Sequence, residues 1–553
     1  MNLTSVAAIV LALFAAGYRF YSRFLAQKLG LDDARSTPAC TMNDGMDYVP
    51  AKAPFLLGQH FSAIAAAGPI VGPILAGIAY GWLPTLLWIV LGAIFVGAVH
   101  DFSALVGSVR HQAGSIARIV EAYMGRSAYV LFLLFIFFSL VYVITAFSDL
   151  TANSFAEIEY GGGVASSSIL YLILAVIMGA AMRFLRLSLI WATAVFLPLL
   201  LAVIWAGPHI PLVFPQIANL SSVMLWGGIV LGYCFLASIL PVWLLLQPRG
   251  YLGGIFLYVA LLAGLIGLTL GGIPIRYPAF IGLKNASGFP LFPMLFVTVA
   301  CGACSGFHGL VSSGTTSKQI AREGDCRSVG YGGMLLEGLV ALIALATVMM
   351  LPYAEEAVRQ PPDRIYAQGL ATFVQQFGIP YHFAMAFVLL AFATFIFDTL
   401  DVATRLGRYI LQELTGWKGI LGNVTATLLT LLLPAWFLAV KVTDSSGDIV
   451  PAWRLFWTVF GTSNQLLAGL TLLGLTIWLK RSGKSWVFAA VPGAFMMGVT
   501  LWALAILLKE WLSKVKAGFP LDPVGVACLL LMGLAVALLL EGSKAFLRGT
   551  RTA

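Results

Sequence analysis

The sequence reads GQHFSAIAAAGPIVGP over residues 58–73, inside one of many long apolar segments. Its two glycine–proline pairs, Gly68-Pro69 and Gly72-Pro73, each remove one backbone amide donor and disfavour helix just before the proline. In lipid, such a break is tolerated only where it is buried in protein or lines a wet cavity. The neighbouring Gln59 and His60 favour a binding site for a solute or ion here. The alternative is a kinked helix that packs through small residues.

The composition around this break is typical of a membrane protein. Of the 553 residues, 60% are hydrophobic and only 10% are charged, whereas an ordinary soluble domain has roughly 25% charged residues. Apolar stretches of about 20 residues, the length that spans a hydrocarbon core, recur about fifteen times and lack the period-two alternation of a barrel strand. We therefore predict an all-α polytopic membrane protein with about fifteen transmembrane helices.

Charge and cysteine usage give further constraints. The predicted spans lie near residues 4–24, 56–80, 84–106, 128–150, 166–182, 187–206, 222–246, 251–272, 289–310, 331–353, 380–402, 420–440, 455–478, 485–507 and 522–541. With the N-terminus outside, most of the 32 lysines and arginines fall on the cytoplasmic side, as the positive-inside rule requires. The basic residues form no patch, so no nucleic-acid partner is predicted. The six cysteines show no disulfide framework and are expected to be reduced thiols.

A second polar segment, ACSGFHGLVSSGTTSKQ over residues 303–319, combines glycines with hydroxyls and one imidazole. Such groups are suited to coordinating a sodium ion or hydrogen-bonding a carboxylate, and the imidazole is able to carry a proton. The alternative is a small-residue helix interface whose hydroxyls bond back to their own helix. The predicted substrate- or ion-binding residues of this segment are Ser305, His308, Ser312, Ser313, Thr315 and Thr316.

The same region offers a weak metal motif. Cys301 and Cys304 stand near His308, but three local ligands are too few for a typical closed zinc site. We therefore predict no metal and no cofactor other than a coupling Na⁺ or H⁺. No catalytic residue is predicted either.

Ionisable residues within membrane spans are functional candidates by default, because burying a charge in lipid is costly. Asp101 follows His100 at the predicted cytoplasmic end of the third span, where water is expected to reach it. Asp398 lies one turn before Asp401, which is spaced i to i+4 from Arg405 and is expected to face it on a continuous helix. We predict coupling or gating roles for Asp101, Asp398, Asp401 and Arg405. The polar run at 462–465 is instead expected to make interhelical hydrogen bonds.

Several strings resemble one known family, the carbon starvation protein A (CstA) family of bacterial inner-membrane transporters. They extend from the first predicted helix to the thirteenth, so the resemblance covers nearly the whole chain. The strings are Tyr18 to Ser22, Asp47 to Pro50, Gly58 to Pro73, Gly97 to Phe102, Ser305 to Gln319, Thr399 to Tyr409 and Phe460 to Ala468.

The resemblance implies a LeuT-like core of two inverted five-helix repeats, as in the amino acid, polyamine and organocation (APC) transporter superfamily, with extra helices at both ends. The corresponding boundaries are an N-terminal helix and loop at 1–55, a first repeat at 56–206, a second at 222–410, and additional C-terminal helices at 420–553. It also implies a multi-pass protein of the bacterial inner membrane, here with its N-terminus outside and its C-terminus in the cytoplasm.

The resemblance implies cation-coupled uptake of peptides or pyruvate under carbon starvation, with the lipid bilayer and a small carboxylate-bearing solute as partners. The sequence contains no P-loop signature for ATP hydrolysis. Two alternatives stay open at this point. One is an intramembrane hydrolase using Ser305 with His308, or His100 with Asp101. The other is a starvation-sensing receptor, which would lack a sizeable output domain of its own.

Overall fold

The computed structural model describes residues 2–44, 48–65, 67–214, 220–241, 243–353, 356, 359–440, 442–443, 449–516 and 523–548. Asp47, which belongs to one of the strings that carry the family resemblance, lies outside the described residues.

Helices account for most of the described chain. The first half contains α1 Leu3–Ala16, α2 Ser22–Leu29, α3 Pro38–Thr41, α4 Ala53–Ile64, α5 Gly68–Tyr80, α6 Trp82–Gly92, α7 Ala98–Arg110, α8 Ile116–Met124, α9 Arg126–Ala156, α10 Gly161–Phe184, α11 Leu189–Ala206, α12 Ser222–Ile239 and α13 Leu246–Leu270. The second half contains α14 Leu291–Thr298, α15 Gly306–Gly314, α16 Gly332–Met349, α17 Pro362–Gln375, α18 Tyr381–Thr415, α19 Gly419–Ala439, α20 Ala452–Arg481, α21 Val487–Lys516 and α22 Pro523–Leu547.

Shorter elements join some of these helices. One π-helical turn, Gly17–Tyr21, connects α1 to α2, a second, Ala93–Gly97, connects α6 to α7, and a third, Arg327–Tyr331, leads into α16. Two 3₁₀ turns, Gly207–His209 and Thr316–Gln319, follow α11 and α15. Two strands of two residues each, β1 Val442–Thr443 and β2 Ile449–Val450, pair antiparallel, with Val442 opposite Val450.

Within the described ranges, twelve helical segments are long and apolar enough to cross a membrane, or thirteen if the bent pair α4 and α5 is one span. The fold class is thus confirmed, but the count of about fifteen is not. Two expected spans explain the difference. The segment at 289–310 forms two short helices, α14 and α15, and the segment at 455–478 lies in α20, whose polar run at 462–465 lowers its hydropathy.

The predicted break at residues 68–73 occurs at one of its two glycine–proline pairs. Helices α4 and α5 are bent by 50°, and α5 begins at Gly68 with Pro69 in its first turn. Proline suits this position because the first helical amides have no intrahelical acceptor. Pro73 lies inside the continuous α5 and does not interrupt it.

The chain divides into two compact units. The first comprises Met1–Ser139, Pro274–Tyr353 and Thr458–Ala553, and it contains both interrupted segments, α4 with α5 and α14 with α15. Inside it, α5 packs against α16, α7 against α15, and α14 against α21.

The second unit comprises Leu140–Ile273 and Ala354–Trp457. In this unit α18 contacts α13, α17 and α19, while α12 contacts α18 and α19. Each unit collects residues from both predicted repeats, so the boundaries at 56–206 and 222–410 stay a prediction.

Candidate functional site

The two interrupted segments of the first unit touch each other at their breaks. A Cβ atom at Gly68 would overlap the side chain of Cys301, and one at Gly72 would lie 2.6 Å from the carbonyl oxygen of Thr298. Gly68, Pro69, Gly72 and Pro73 are all buried. Glycine is therefore required at positions 68 and 72 by close backbone approach, and the structure encloses both breaks in protein.

Side chains from other helices satisfy the backbone at the second break. Trp88 Nε1 donates to the carbonyl of Val299 at 3.3 Å, and Gln465 Nε2 donates to the carbonyl of Phe296. Asn464 Oδ1 accepts from the amide of Phe307 at 2.9 Å, in the first turn of α15. The predicted interhelical role of the polar run at 462–465 is confirmed for Asn464 and Gln465, since freed backbone groups in a membrane need such partners.

A buried group of imidazoles and carboxylates, the histidine–carboxylate cluster, lies beside this break and consists of His100, Asp101, His308 and Glu337. His100 Nδ1 lies 2.7 Å from Asp101 Oδ1, and His308 Nδ1 lies 2.8 Å from Asp101 Oδ2. His308 Nε2 lies 3.1 Å from Glu337 Oε2. The four residues come from α7, α15 and α16, and each is fully buried.

The sequence predicted that Asp101 lies at a solvated helix end. The structure shows that it does not. Helix α7 continues to Arg110, and Asp101 has no exposed surface. The span was placed too short because the polar sequence after residue 106 was taken as its end. The ion pairs with two imidazoles explain how a carboxylate is accommodated at this depth.

His308 has a carboxylate oxygen near each ring nitrogen, although among the described residues Nε2 and the Glu337 oxygens form no aligned hydrogen bond. If Nδ1 donates to Asp101, a deprotonated Nε2 would lie 3.1 Å from an ionised Glu337 oxygen, and two lone-pair acceptors at that distance repel each other. The repulsion is removed when His308 carries a second proton or when Glu337 is protonated. A proton on either side chain would therefore be stabilised at this contact.

The predicted hydroxyl residues do not converge on one point. Ser313 donates to the carbonyl of Gly309 at 2.7 Å and Thr315 to that of Val311 at 3.0 Å, so both bond back to their own helix. Thr316 Oγ1 instead lies 2.9 Å from His60 Nδ1. The Ser312 hydroxyl is buried and has no hydrogen-bond partner within the described ranges.

Two further predicted residues have unused polar atoms near these helices. The Gln59 side-chain oxygen and the His60 Nε2 are buried and have no hydrogen-bond partner among the residues that the structure describes. Ser305 hydrogen-bonds the amide nitrogen of Asn464 at 3.0 Å. The Ser305–His308 dyad expected of a hydrolase is not formed, because both ring nitrogens of His308 face carboxylates.

A second buried charge cluster lies in the second unit and is called here the arginine–aspartate cluster, comprising Tyr233, Arg249, Asp398 and Asp401. Arg249 Nε donates to Asp398 Oδ1 at 3.0 Å, and its Nη1 donates to Asp401 Oδ2. The Tyr233 hydroxyl donates to the same Asp401 oxygen at 2.8 Å. The guanidinium is fully buried between the two carboxylates.

The expected pairing of Asp401 with Arg405 is wrong. Helix α18 is continuous through both residues, but Asp401 bonds to the other helices of its cluster. Arg405 Nη2 donates to the carbonyls of Ala237 at 2.6 Å and Leu240 at 2.9 Å, at the end of α12. These carbonyls at the helix end lack intrahelical donors. The buried arginine satisfies them instead of forming an ion pair with Asp401.

Glu337 and Arg249 are absent from the residues predicted from sequence. Glu337 interrupts an otherwise apolar span, which is a sufficient signal under the rule for intramembrane ionisable residues. Arg249 was assigned to a loop between two spans, whereas it lies in the first turn of α13. Its role depends on contacts with α18 that no local pattern indicates.

Within the described part of the chain, no group of three or more histidine, cysteine, aspartate or glutamate residues is arranged to hold a metal ion. All six cysteines have free thiols. Cys301 Sγ accepts a hydrogen bond from Asn464 Nδ2 at 3.2 Å, which ties it to the break.

The family described as carbon starvation protein CstA matches residues 2–363 and 353–503 of the chain. The "Peptide transporter CstA" of Helicobacter pylori is 34% identical, over 89% of this chain and 80% of that protein. The protein of the same name from Escherichia coli is 33% identical over 93% and 82%. The Escherichia coli "Pyruvate/proton symporter BtsT" is 31% identical over 90% and 80%.

Solved structures agree on the fold. A manganese transporter of Eremococcus coleocola superposes with a TM-score of 0.54 at 13% identity, covering 91% of this chain and 99% of that one. This likeness shows a LeuT-like fold. The relatives show a multi-pass membrane transporter for a small solute rather than an enzyme. The sequence match extends over nearly all of the described helices, and the chain belongs to the carbon starvation protein CstA family.

Proposed function

We propose that this transporter is a proton-coupled symporter that takes up a small carboxylate-bearing solute, a short peptide or pyruvate, under carbon starvation. The observation that carries the proposal is the 3.1 Å contact between His308 Nε2 and Glu337 Oε2, where a shared proton would relieve repulsion, beside two interrupted helices that touch each other. The names of the relatives, which include peptide transporters and a pyruvate/proton symporter, support both the solute class and the coupling ion.

The substrate site is assigned to the two breaks. Helices α5 and α15 both begin at a break, and the positive dipole at a helix amino end attracts an anionic group, although the Phe307 amide of α15 is already bonded to Asn464. Interrupted helices in corresponding positions of two inverted halves are the usual location of the site in such transporters. Because the breaks are enclosed here, solute entry requires the helices around them to move.

This assignment places the second repeat later than the sequence alone suggested. If α4 with α5 opens the first repeat, its counterpart is the other interrupted segment, α14 with α15. The second repeat then begins at residue 291 rather than 222, and α12 and α13 become additional helices. Helices 291–314 and 53–80 would cross in opposite directions, as an inverted pair must.

Gating is assigned to the arginine–aspartate cluster and to Arg405. Helix α18 carries Asp398, Asp401 and Arg405 on neighbouring turns, and all three contact α12 or α13. A change in their pairing would release these helices from one another. We also place the protein in the bacterial inner membrane with its N-terminus outside, an orientation that reporter fusions to either terminus would test.

The test is uptake into proteoliposomes of labelled pyruvate and, separately, of a labelled dipeptide. Imposed proton and sodium gradients are applied one at a time. We expect one solute to accumulate under an inward proton gradient alone. Accumulation driven only by sodium would overturn the proton assignment, and no accumulation under either gradient would overturn the symporter proposal.

Glu337→Gln tests the position of the proton. Glutamine keeps the shape but holds no exchangeable proton, so this variant should lose gradient-driven accumulation at least tenfold while still exchanging labelled for unlabelled solute. Glu121→Gln is the matched control, because Glu121 pairs with Arg118 and Arg126 at a partly exposed position. A Glu337→Gln protein that accumulates solute like the control would place the coupling proton elsewhere.

A further inference from the structure

A cleft of about 540 Å³ lies in the first unit, away from the interrupted helices. Its wall is formed by the segment after α2, the end of α7 with the turn that follows, α8, and the end of α20. The volume is within the range of roughly 300–1,000 Å³ that small-molecule sites occupy. None of the residues assigned to transport lines it.

The cleft is positively charged. Arg35, Arg110 and Lys484 line it, and among the described residues no acidic side chain does. The nearest carboxylate partner, Glu323, is fully buried behind the wall, where it accepts from Arg110 Nε at 2.7 Å and from Arg35 Nη1 at 2.9 Å. One carboxylate against three cations leaves an excess of two positive charges.

These cations keep donors free for a ligand. Arg110 is held in place, because it also donates to the carbonyls of Leu29 and Gly30 at 2.8 and 2.7 Å. Lys484 Nζ donates to the Leu29 carbonyl at 2.7 Å. Arg35 donates through Nη1 to Glu323, and within the described part of the chain its other nitrogens have no recorded partner; its side chain is 47% exposed.

The backbone conformation at Gln112 and the pKa of Lys484 both support a ligand site in this cleft. Gln112, which lines the cleft, and Ala113 have φ of 57° and 53°, a left-handed conformation that is strained for residues other than glycine. Burial and the neighbouring charges of Arg110 and Arg35 lower the pKa of Lys484. A bound anion would relieve this excess positive potential.

We propose that this cleft binds a phosphate-bearing anion. A phosphate dianion matches the excess of two positive charges, and its oxygens accept hydrogen bonds from an arginine fork and an ammonium group together. A single carboxylate would leave one positive charge uncompensated. The phosphate has two sources, a soluble phosphate compound or a lipid headgroup, since basic pockets at helix ends also bind anionic lipids.

The test measures thermal unfolding of the full-length protein, so it is independent of transport. Inorganic phosphate is titrated against chloride at equal ionic strength, and nanodiscs of phosphatidylglycerol are compared with nanodiscs of phosphatidylcholine. The variants are Arg35→Gln/Lys484→Gln and the single Lys484→Gln, which keeps a donor for the Leu29 carbonyl. The control is Lys28→Gln, an exposed lysine that does not line the cleft.

We expect phosphate to raise the unfolding midpoint of the native and control proteins. The apparent Kd should weaken at least tenfold in the double variant and to a smaller extent in Lys484→Gln. Stabilisation by phosphatidylglycerol alone, lost in the same variants, would identify a lipid headgroup as the phosphate source. The proposal is overturned if neither phosphate nor phosphatidylglycerol raises the unfolding midpoint above that in chloride or phosphatidylcholine. It is also overturned if the variants respond like the control, or if pyruvate raises the midpoint as much as phosphate through the same residues.

Discussion

Replacing Arg249 by methionine should be among the most destabilising single changes in the second unit. The guanidinium is fully buried and pairs with both Asp398 and Asp401. Methionine fills similar space but removes the buried cation that pairs with both carboxylates. Removing one partner of a buried ion pair costs about 3–5 kcal/mol, and here two pairs are lost at once.

This loss is large compared with the total free energy of unfolding of a protein. Stabilities of folded proteins are about 5–15 kcal/mol, so Arg249→Met should greatly reduce the fraction of folded protein recovered. Fluorescence-detected size exclusion of a fusion protein after graded heating measures this fraction. Arg126→Met is the matched control, since Arg126 pairs with Glu121 at the surface, where ion pairs contribute little.

A compensated variant separates charge from shape. Arg249→Met combined with Asp398→Asn and Asp401→Asn removes the charge of both carboxylates along with that of the arginine and should recover most of the lost midpoint. If the single variant is as stable as the control, or the triple variant as unstable as the single one, the ion pairs do not have the energetic role derived from the structure. Uptake by a stable triple variant at the native rate would remove Asp398 and Asp401 from the proposed gate.

Three other predictions follow from single contacts in the first unit. Asn464→Ala should reduce the free energy of unfolding by about 1–3 kcal/mol, because the amide of Phe307 loses its buried acceptor. Thermal unfolding measures this against the control Asn423→Ala, which removes a side-chain amide that pairs with Gln412. Equal unfolding midpoints for the two variants would contradict the prediction. Gly461→Ala should abolish uptake, because the added Cβ would overlap the carbonyl oxygen of Val297. In the control Gly498→Ala the added Cβ has no described neighbour within 4 Å, so this variant should transport normally. Equal uptake by the two variants would contradict the close approach of Gly461 to Val297. Burial acts to raise the pKa of Glu323, but hydrogen bonds from Arg110 and the Asp32 amide outweigh it and the net shift is downward. The stability that Glu323 contributes is therefore present above the unfolded-state pKa of about 4.3 and is lost as pH falls through the lower folded value. Glu323→Gln should reduce the unfolding midpoint at pH 7 and flatten its fall below about pH 4; an unchanged acid profile would contradict this.

Local physical chemistry was sufficient to predict several features. Continuous apolar stretches require membrane-spanning helices, because unpaired backbone groups cannot be left in lipid. The break before Gly68 follows from the missing amide of Pro69 in the same way. The interhelical role of Asn464 was also predictable, since a polar amide inside an apolar span needs a partner on another helix.

Partner choice could not be predicted from the sequence. Asp401 and Arg405 have the spacing of an ion pair on a single helix, yet each bonds to a different neighbouring element. Asp101 was assigned to a helix end because the polar sequence after residue 106 was taken as the end of the span, whereas its partner His308 is more than two hundred residues away in the chain. The span count failed at 289–310 for a related reason, as its break is stabilised by Trp88 and Gln465.

The sequence by itself determined the environment of this protein, its helical class, the position of one break and the residue types available for binding. Only the tertiary structure decided which of these residues meet: His308 with Asp101 and Glu337, Arg249 with Asp398 and Asp401, and Gly68 with Cys301. The physical reason is that hydropathy and backbone preference act over a few residues, whereas the pairing of buried charges depends on helices that pack side by side from distant parts of the chain.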